Sequence, residues 1–323
     1  MGYYLITGIA GFIGWRVGEF LLKEGKAVLG VDNLNDSYDV TLKYWRLNEL
    51  KKFEKFKFYQ IDISNFQALK VLFEIYPISA VIHLAARAGV RASLENPWVY
   101  VDSNITGTLN LLELMKDFGV KKMVLASTSS IYAGQSPPFH EDLKVDTPLS
   151  PYAATKKGAE LLSYTYHHLY GLDISVVRYF TVYGPAGRPD MSIFRFIKWI
   201  YEEKPIKIFG DGTQARDFTY IDDIARGTIA SLKPLGYEII NLGGGKNPIS
   251  INQIIEILER LIGKKAKREY LNFHKADVKI TWADISKAKK LLNWEPEISI
   301  EEGLKRTVNW SKENIELIKN IKV

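Results

Sequence analysis

Short apolar runs alternate with amphipathic stretches through the first half of the chain. Tyr3–Thr7 is an apolar run that ends in glycines. Phe12–Lys23 places Phe12, Ile13, Val17, Phe20 and Leu21 at helical spacing. Residues 27–31 form a second buried run, followed by Asp32. Residues 42–53 read as a charged amphipathic helix. Residues 57–61 and 80–84 read as strands, with helix Phe66–Ile75 between them. The spacing then predicts a long helix over 101–115, a strand at 122–126, a helix over 152–170 and a strand at 174–178. Strict strand–helix alternation predicts a parallel sheet with right-handed crossovers, a Rossmann-type doubly wound α/β fold.

The pattern changes after Arg178. Tyr183-Gly184-Pro185 and Gly187-Arg188-Pro189 are turn signals. Shorter mixed elements follow, closing with amphipathic helices over Ile251–Ile262 and 301–318. This predicts a smaller mixed α/β C-terminal lobe, packed on the first with a cleft between them.

Composition narrows the classes. A chain of 323 residues, 46% hydrophobic and 25% charged, is long enough for one large α/β unit or two modest domains and too apolar for disorder. No apolar run approaches the roughly 18 residues of a membrane span, so no membrane partner is expected. The first strand runs straight into the glycine loop, with no leader pattern. The count of Cys is 0, which removes disulfides, thiolate nucleophiles and cysteine metal sites and fits a reducing cytoplasm. Five His offer no pair at i,i+4 ligand spacing, so no metal site is expected. The net charge of +6 is compatible with nucleic acid, with dispersed surface lysine or with an anionic small substrate. Clustered basic residues interleaved with exposed aromatics, which nucleic acid would require, are absent.

Gly8-Ile9-Ala10-Gly11-Phe12-Ile13-Gly14 stands between a strand and a helix. Glycines there let the backbone turn tightly beside a pyrophosphate, and the helix N-terminus offers N–H groups and partial positive charge. Asp32, at the end of the second strand, suits a ribose diol. No Arg follows at once to hold a 2′-phosphate, which favours NAD over NADP. Asp62, ending the third strand, suits the adenine amine.

Among 18 Tyr, only Tyr152 has Lys four residues on, at Lys156. That spacing puts both on one helix face. A nearby ammonium favours phenolate and is expected to lower the tyrosine pKa from about 10. Such a phenol can take a proton from a sugar hydroxyl while hydride leaves the same carbon. Ser127-Thr128-Ser129-Ser130 ends the preceding strand and offers a hydroxyl to share that proton.

The glycine loop, His83-Leu84-Ala85-Ala86, the Tyr152/Lys156 pair and Arg178-Tyr179-Phe180 resemble the extended short-chain dehydrogenase/reductase superfamily, specifically its nucleotide-sugar epimerases and dehydratases. The resemblance spans essentially the whole chain. Two segments, Asp32 to Val40 and Tyr183 to Met191, look like UDP-glucuronate 4-epimerases. It implies catalysis by Thr128, Tyr152 and Lys156. It implies an NAD site formed by Gly8, Gly11, Phe12, Ile13, Gly14, Asp32, Asn33, Asp62 and Ile63. Leu84, Ala85, Ala86, Asn104, Tyr152, Lys156 and Tyr179 complete that site. It implies a UDP-uronate site formed by Arg87, Ser127, Ser129, Thr181, Arg188, Met191, Arg216 and Asp277. Arg188 would face the sugar carboxylate, and Arg216 the diphosphate. The expected division assigns residues 1–178 and about 217–244 to the NAD lobe, and 179–216 and 245–323 to the sugar lobe. The resemblance also implies a homodimer through a four-helix interface.

The chain departs from the family pattern in places. Arg87 stands where Gln is expected, and Ala133 and Ala186 replace a typical Gly and Trp. Dehydratases and decarboxylases of the superfamily need carboxylates just after the catalytic Thr, where this chain has Ser129 and Ser130. UDP-glucose/UDP-galactose 4-epimerase is the nearest alternative, but it offers no reason for the segment from Gly187 to Met191.

Overall fold

A computed structural model describes residues 2–246, 248–272 and 278–323. The first half alternates as expected: β1 (Tyr3–Thr7), α1 (Phe12–Lys23), β2 (Val28–Asp32), α2 (Thr41–Leu50), β3 (Phe56–Gln60), α3 (Phe66–Ile75) and β4 (Ile78–His83). Two short helices, α4 (Val90–Glu95) and α5 (Trp98–Tyr100), lead through a π-helical turn, Val101–Thr106, into α6 (Gly107–Phe118). Then come β5 (Lys122–Thr128), α7 (Pro151–Tyr170) and β6 (Asp173–Tyr179). The remainder holds β7 (Thr181–Tyr183), α8 (Ser192–Tyr201), β8 (Ile206–Phe209), β9 (Ala215–Arg216), β10 (Phe218–Tyr220), α9 (Ile221–Ala230) and β11 (Tyr237–Leu242). It closes with β12 (Ile249–Ser250), α10 (Ile251–Ile262), β13 (Arg268–Leu271), α11 (Ser286–Leu292), α12 (Ile300–Glu313) and α13 (Ile315–Asn320).

Seven strands form one sheet in the order β11-β6-β5-β4-β1-β2-β3, and every neighbouring pair is parallel. The order reverses between β1 and β4, where a doubly wound sheet opens its ligand crevice. Leu5, Leu29, Val31, Val81, Met123 and Val176 face one apolar layer against α3, α6 and α7. Ile6, Val28, Ile82, Val124 and Val177 face the other against α1, α2 and α9. A third apolar cluster joins α8, α10 and α12 around Ile197, Ile206, Ile254 and Leu304 and reaches Phe12 at the mouth of the crevice.

Most boundaries shift from the periodicity by one to three residues, and three differences have a local reason. The β5–β6 ladder continues through Ser127↔Arg178 and Thr128↔Tyr179, so Thr128 ends a strand. The stretch 101–115 is a π turn followed by an α-helix that reaches Phe118. The helix expected over 301–318 breaks at Asn314, whose side chain returns to the Trp310 carbonyl at 2.9 Å. Helix α7 starts cleanly: Ser150 caps it by accepting from Ala153 N–H, and Pro151 occupies its first turn. Among the described residues no helix is long and apolar enough to cross a membrane.

Candidate active site

The strand ends surrounding the switch point carry the site. Gly8 sits at φ 72°, and a Cβ there would lie 2.7 Å from Ala85 N. A Cβ on Gly14 would lie 2.2 Å from the Gly8 carbonyl oxygen. The loop is thus packed to the backbone, and no side chain caps the N-terminus of α1, so its N–H groups remain available to an oxyanion. Asp32 closes the loop, accepting from Ala10 N–H at 3.2 Å and Leu34 N–H at 2.8 Å. A carboxylate has about four acceptor positions, so capacity remains for a diol. Asn33 donates to Asp62 at 2.7 Å, beside the Asp62 turn that receives Ser64. Burial alone would raise the Asp62 carboxyl; hydrogen bonds from Ser64 and Asn33 outweigh it and hold the group below its ordinary range. This uncapped cradle with a carboxylate at the next strand end fits a dinucleotide.

His83, at the end of β4, is buried and neutral. Burial, reinforced by the Lys156 charge, lowers its pKa to about 3. Thr108 donates to the Asn104 carbonyl at 2.6 Å and so accepts from His83 Nε2–H at 3.0 Å. His83 Nδ1 therefore accepts from Thr7, whose oxygen in turn accepts from Ala85 N–H at 3.2 Å. The imidazole fixes the cofactor-side loop and performs no titration near neutrality. Asn104, in the π turn, holds the Arg87 backbone from both sides, at 2.9 and 3.1 Å, and donates to Thr155 at 3.0 Å. Its amide is engaged in shaping the 84–89 loop.

Thr128, Tyr152 and Lys156 come together at the end of β5 and the start of α7. Thr128 accepts from Ser130 N–H at 3.1 Å, which aims its hydroxyl, and it is a hydrogen-bond partner of the Tyr152 phenol. The Tyr152 ring stands edge-on to Tyr100 at 6.1 Å, and Tyr100 anchors the 88–89 carbonyls. The expectation of a lowered phenol pKa is corrected here. Burial raises it, and the opposing influences are the Thr128 hydrogen bond and the charge of Arg188. Lys156 is itself buried, which lowers its pKa to about 8 against the pull of Glu160.

Beneath this trio lies a buried network missing from the sequence reading. Glu160 accepts from Arg178 through both oxygens, at 2.9 and 2.8 Å, and from Ser127 at 2.6 Å. Arg178 also donates to Tyr132, which donates to Asn241, at 2.8 Å each. Ser127 therefore braces the strand end, its hydroxyl proton directed into the network. Burial raises the Glu160 carboxyl, but Arg178, Ser127 and Lys157 outweigh it and keep the group below 4.5. Its stabilisation is present above that value and is lost as pH falls through the lower, folded one. Glu160→Gln should cost about 3–5 kcal/mol, because it leaves Arg178 buried without its counter-charge. Urea unfolding at pH 7 checks this; a change below about 1 kcal/mol would contradict it.

Arg188 lies in the cleft with Phe12, Thr181, Met191 and Phe218. Its fork meets Asp190 at 3.0 and 2.6 Å, and its guanidinium stands 5.6 Å from the Tyr38 ring centroid. Burial alone would lower its pKa, and Asp190 more than restores the charged form. The charge of Arg188 acts on Tyr152 and favours its ionised form. The charges of Arg46, Arg87 and Arg188 act on Lys43 against that of Asp32, so Lys43 and these three arginines are four neighbouring cations around one carboxylate. Lys43 lies 3.8 Å from Asp32 and donates to the Asn35 carbonyl at 2.7 Å. Such a field attracts a polyanionic ligand.

Other expected residues lie differently. The Tyr179 hydroxyl is paired with Thr228 at 2.8 Å inside the core, so its side chain packs α9. Arg216 stands on the β9–β12 ribbon and donates to the Ala215 and Lys279 carbonyls at 2.9 and 3.2 Å. Asp277 lies outside the described residues. Lys43 and Arg46 escaped the sequence reading, although they share the buried face of α2 with Leu42, Leu47 and Leu50. Charges on an apolar stripe were the available signal. Among the described residues no group of three or more acidic, His or Cys side chains could hold a metal ion.

A doubly wound sheet, an uncapped glycine cradle and a Thr–Tyr–Lys set at the β5 end define an extended short-chain dehydrogenase/reductase. The chain belongs to the family described as GDP-mannose 4,6 dehydratase, matched over residues 5–307. It is 96% identical over 323 residues to the UDP-glucuronate 4-epimerase of Thermodesulfobacterium geofontis, with 100% of each chain covered. It is similar to the crystal structure of UDP-glucuronic acid 4-epimerase from Bacillus cereus in complex with UDP-glucuronic acid and NAD. That match has a TM-score of 0.89 at 43% identity, covering 96% of this chain and 99% of the other. A UDP-glucose 4-epimerase from Thermotoga maritima, bound to UDP-glucose, matches at TM-score 0.90 and 33% identity, covering 97% and 99%.

Proposed function

We propose that the protein is an NAD-dependent UDP-glucuronate 4-epimerase, interconverting UDP-glucuronate and UDP-galacturonate through a transient 4-keto sugar. One observation carries the reading: Arg188 lines the cleft together with Phe12 at the start of α1, and its charge favours ionisation of Tyr152. A proton acceptor for the 4-hydroxyl and a cationic partner for the neighbouring carboxylate are thereby supplied together.

Gly8, Gly11 and Gly14 would receive the NAD pyrophosphate, Asp32 the adenosine ribose, Asp62 the adenine amine and Lys156 the nicotinamide ribose. When bound, NAD supplies a reversible hydride acceptor for C4. Tyr152 takes the 4-hydroxyl proton and returns it after the sugar turns over. Thr128 shares that proton and keeps the hydroxyl aimed at the phenol. Arg188 holds the carboxylate charged and turned away from the alignment that would release carbon dioxide from a 4-keto uronate. Ser129 and Ser130 stand where dehydration or decarboxylation would need carboxylates. A hydroxyl at its ordinary pKa cannot make those proton transfers, which favours epimerisation despite the family's dehydratase description.

Incubation with UDP-glucuronate, UDP-glucose and UDP-xylose, followed by NMR of the products, tests the assignment. UDP-galacturonate is the expected product; conversion of the neutral hexose alone would overturn it.

We also assign residues 1–178 and about 217–244 to the NAD lobe, and the rest to the sugar lobe. The cysteine-free composition supports a cytoplasmic site of action. Exposed Leu161, Tyr164 and Leu169 on α7, with Leu109 and Phe118 on α6, support a homodimer through a four-helix interface. Leu161→Asp should shift the protein from dimer to monomer in sedimentation. A monomeric parent, or an unmoved variant, would contradict that assembly.

A further inference from the structure

Arg46 is fully buried, at 0% exposure, on the inner face of α2. Among the described residues no carboxylate lies within ion-pair distance of it. Its fork is spent instead on the backbone of distant segments. Nε and Nη2 both donate to the Ala186 carbonyl, at 3.1 and 2.7 Å, and Nη2 also reaches the Gly187 carbonyl at 3.3 Å. Nη1 donates to the Ala10 carbonyl and to the Tyr38 hydroxyl, both at 3.0 Å. A buried cation is costly unless hydrogen bonds satisfy it, and here carbonyls do so from two loops that are far apart in sequence.

These contacts converge on Arg188. Ala186, two residues before it, holds φ 52°, a left-handed conformation that a residue with a Cβ rarely adopts. The carbonyl of that residue is the one doubly held by Arg46. Tyr38 receives Arg46 through its hydroxyl, and its ring lies 5.6 Å from the Arg188 guanidinium. Ala10 lies in the glycine loop, and its N–H is bound by Asp32. One side chain thus ties the cofactor loop, the Tyr38 loop and the Arg188 loop together.

We propose that Arg46 is a positioning residue for the uronate: it fixes the Arg188 loop against the glycine loop, so that the Arg188 fork stands at the height of the sugar carboxylate. This rests on the assignment of Arg188 to that carboxylate. Lys cannot replace it, because a single ammonium cannot span carbonyls that a planar fork bridges.

The test is a double-mutant cycle on the NAD-loaded enzyme, with calorimetric affinities for UDP-glucuronate and for UDP. Arg46→Lys should weaken UDP-glucuronate by at least about tenfold and UDP by less than about threefold, raising KM more than it lowers kcat. In an Arg188→Gln background the same change should cost UDP-glucuronate less than about threefold. Equal weakening of both ligands, or an undiminished effect in that background, would overturn the proposal and leave Arg46 a merely structural cation. If Arg46→Lys does not fold, Tyr38→Phe decides. It removes one acceptor but keeps the ring, so a selective loss for UDP-glucuronate supports the proposal and no selective loss overturns it. Arg188→Gln measured alone separates the two readings. If it leaves UDP-glucuronate binding unchanged, the carboxylate assignment fails and the proposal with it. If it weakens binding and the cycle is additive, only the role of Arg46 fails.

Discussion

Tyr152→Phe is expected to lower kcat on UDP-glucuronate by about a thousandfold while leaving substrate affinity within a few-fold of the parent. The variant removes one oxygen and keeps the ring that packs against Tyr100. Its fold should therefore persist, and the loss should fall on proton transfer. The measurement is initial-rate NMR at saturating substrate, with thermal unfolding as the control. The size of the loss follows from what the phenol must do. Burial raises its pKa, and only Thr128 and Arg188 work against that shift. Its partners Lys156 and Thr128 are buried, at 2% and 6% exposure, so neither is placed to take over as a solvated base. A variant retaining a tenth of the parent rate would remove Tyr152 from the role of base.

The second large effect is expected at Arg188. Arg188→Met should lower kcat/KM for UDP-glucuronate by roughly 30- to 1,000-fold, equivalent to about 2–4 kcal/mol for a lost charged fork. Turnover of UDP-glucose should fall much less. The charge of Arg188 also favours ionisation of Tyr152, so part of the loss is common to both substrates. The excess loss on the uronate measures the carboxylate contact. Any product that does form should contain more decarboxylated pentose, since nothing then turns the carboxylate away from the 4-ketone. Asp190 is the partner left behind, but it is 41% exposed and water can solvate it. Equal losses on both substrates, with no by-product, would remove the carboxylate role.

Much of the chemistry was legible because it is local in sequence. A glycine loop must lie between a strand and a helix to cradle a phosphate, and here Gly8 and Gly14 leave no room for a Cβ. The four-residue interval from Tyr152 to Lys156 puts both on one face of α7 wherever that helix packs. Strand–helix alternation constrained the handedness of the crossovers and hence the parallel sheet. Asp32 followed from its place after an apolar run. These features depend on chain geometry within about twenty residues.

Other roles depend on residues that meet only in three dimensions. Ser127 reads as a site hydroxyl, yet its proton goes to Glu160, 33 positions away. Tyr179 reads as a cofactor residue, yet its hydroxyl turns into α9 toward Thr228. Lysine near a tyrosine suggested a lowered phenol pKa, but the burial of that phenol, which no spacing reports, reverses the net direction.

The sequence by itself determined the class of fold, the glycine-loop end of the sheet and the one-turn interval from Tyr152 to Lys156, because each follows from backbone periodicity and short fixed intervals; the choice of Thr128 among its neighbouring hydroxyls came from the family resemblance. Only the tertiary structure decided what surrounds them. Arg46 is one more charge on a helix until folding brings the carbonyls of Ala10 and Ala186 to it from 36 and 140 positions away. Burial sets both the cost of such a cation and the strength of its hydrogen bonds, and burial belongs to the packed molecule alone.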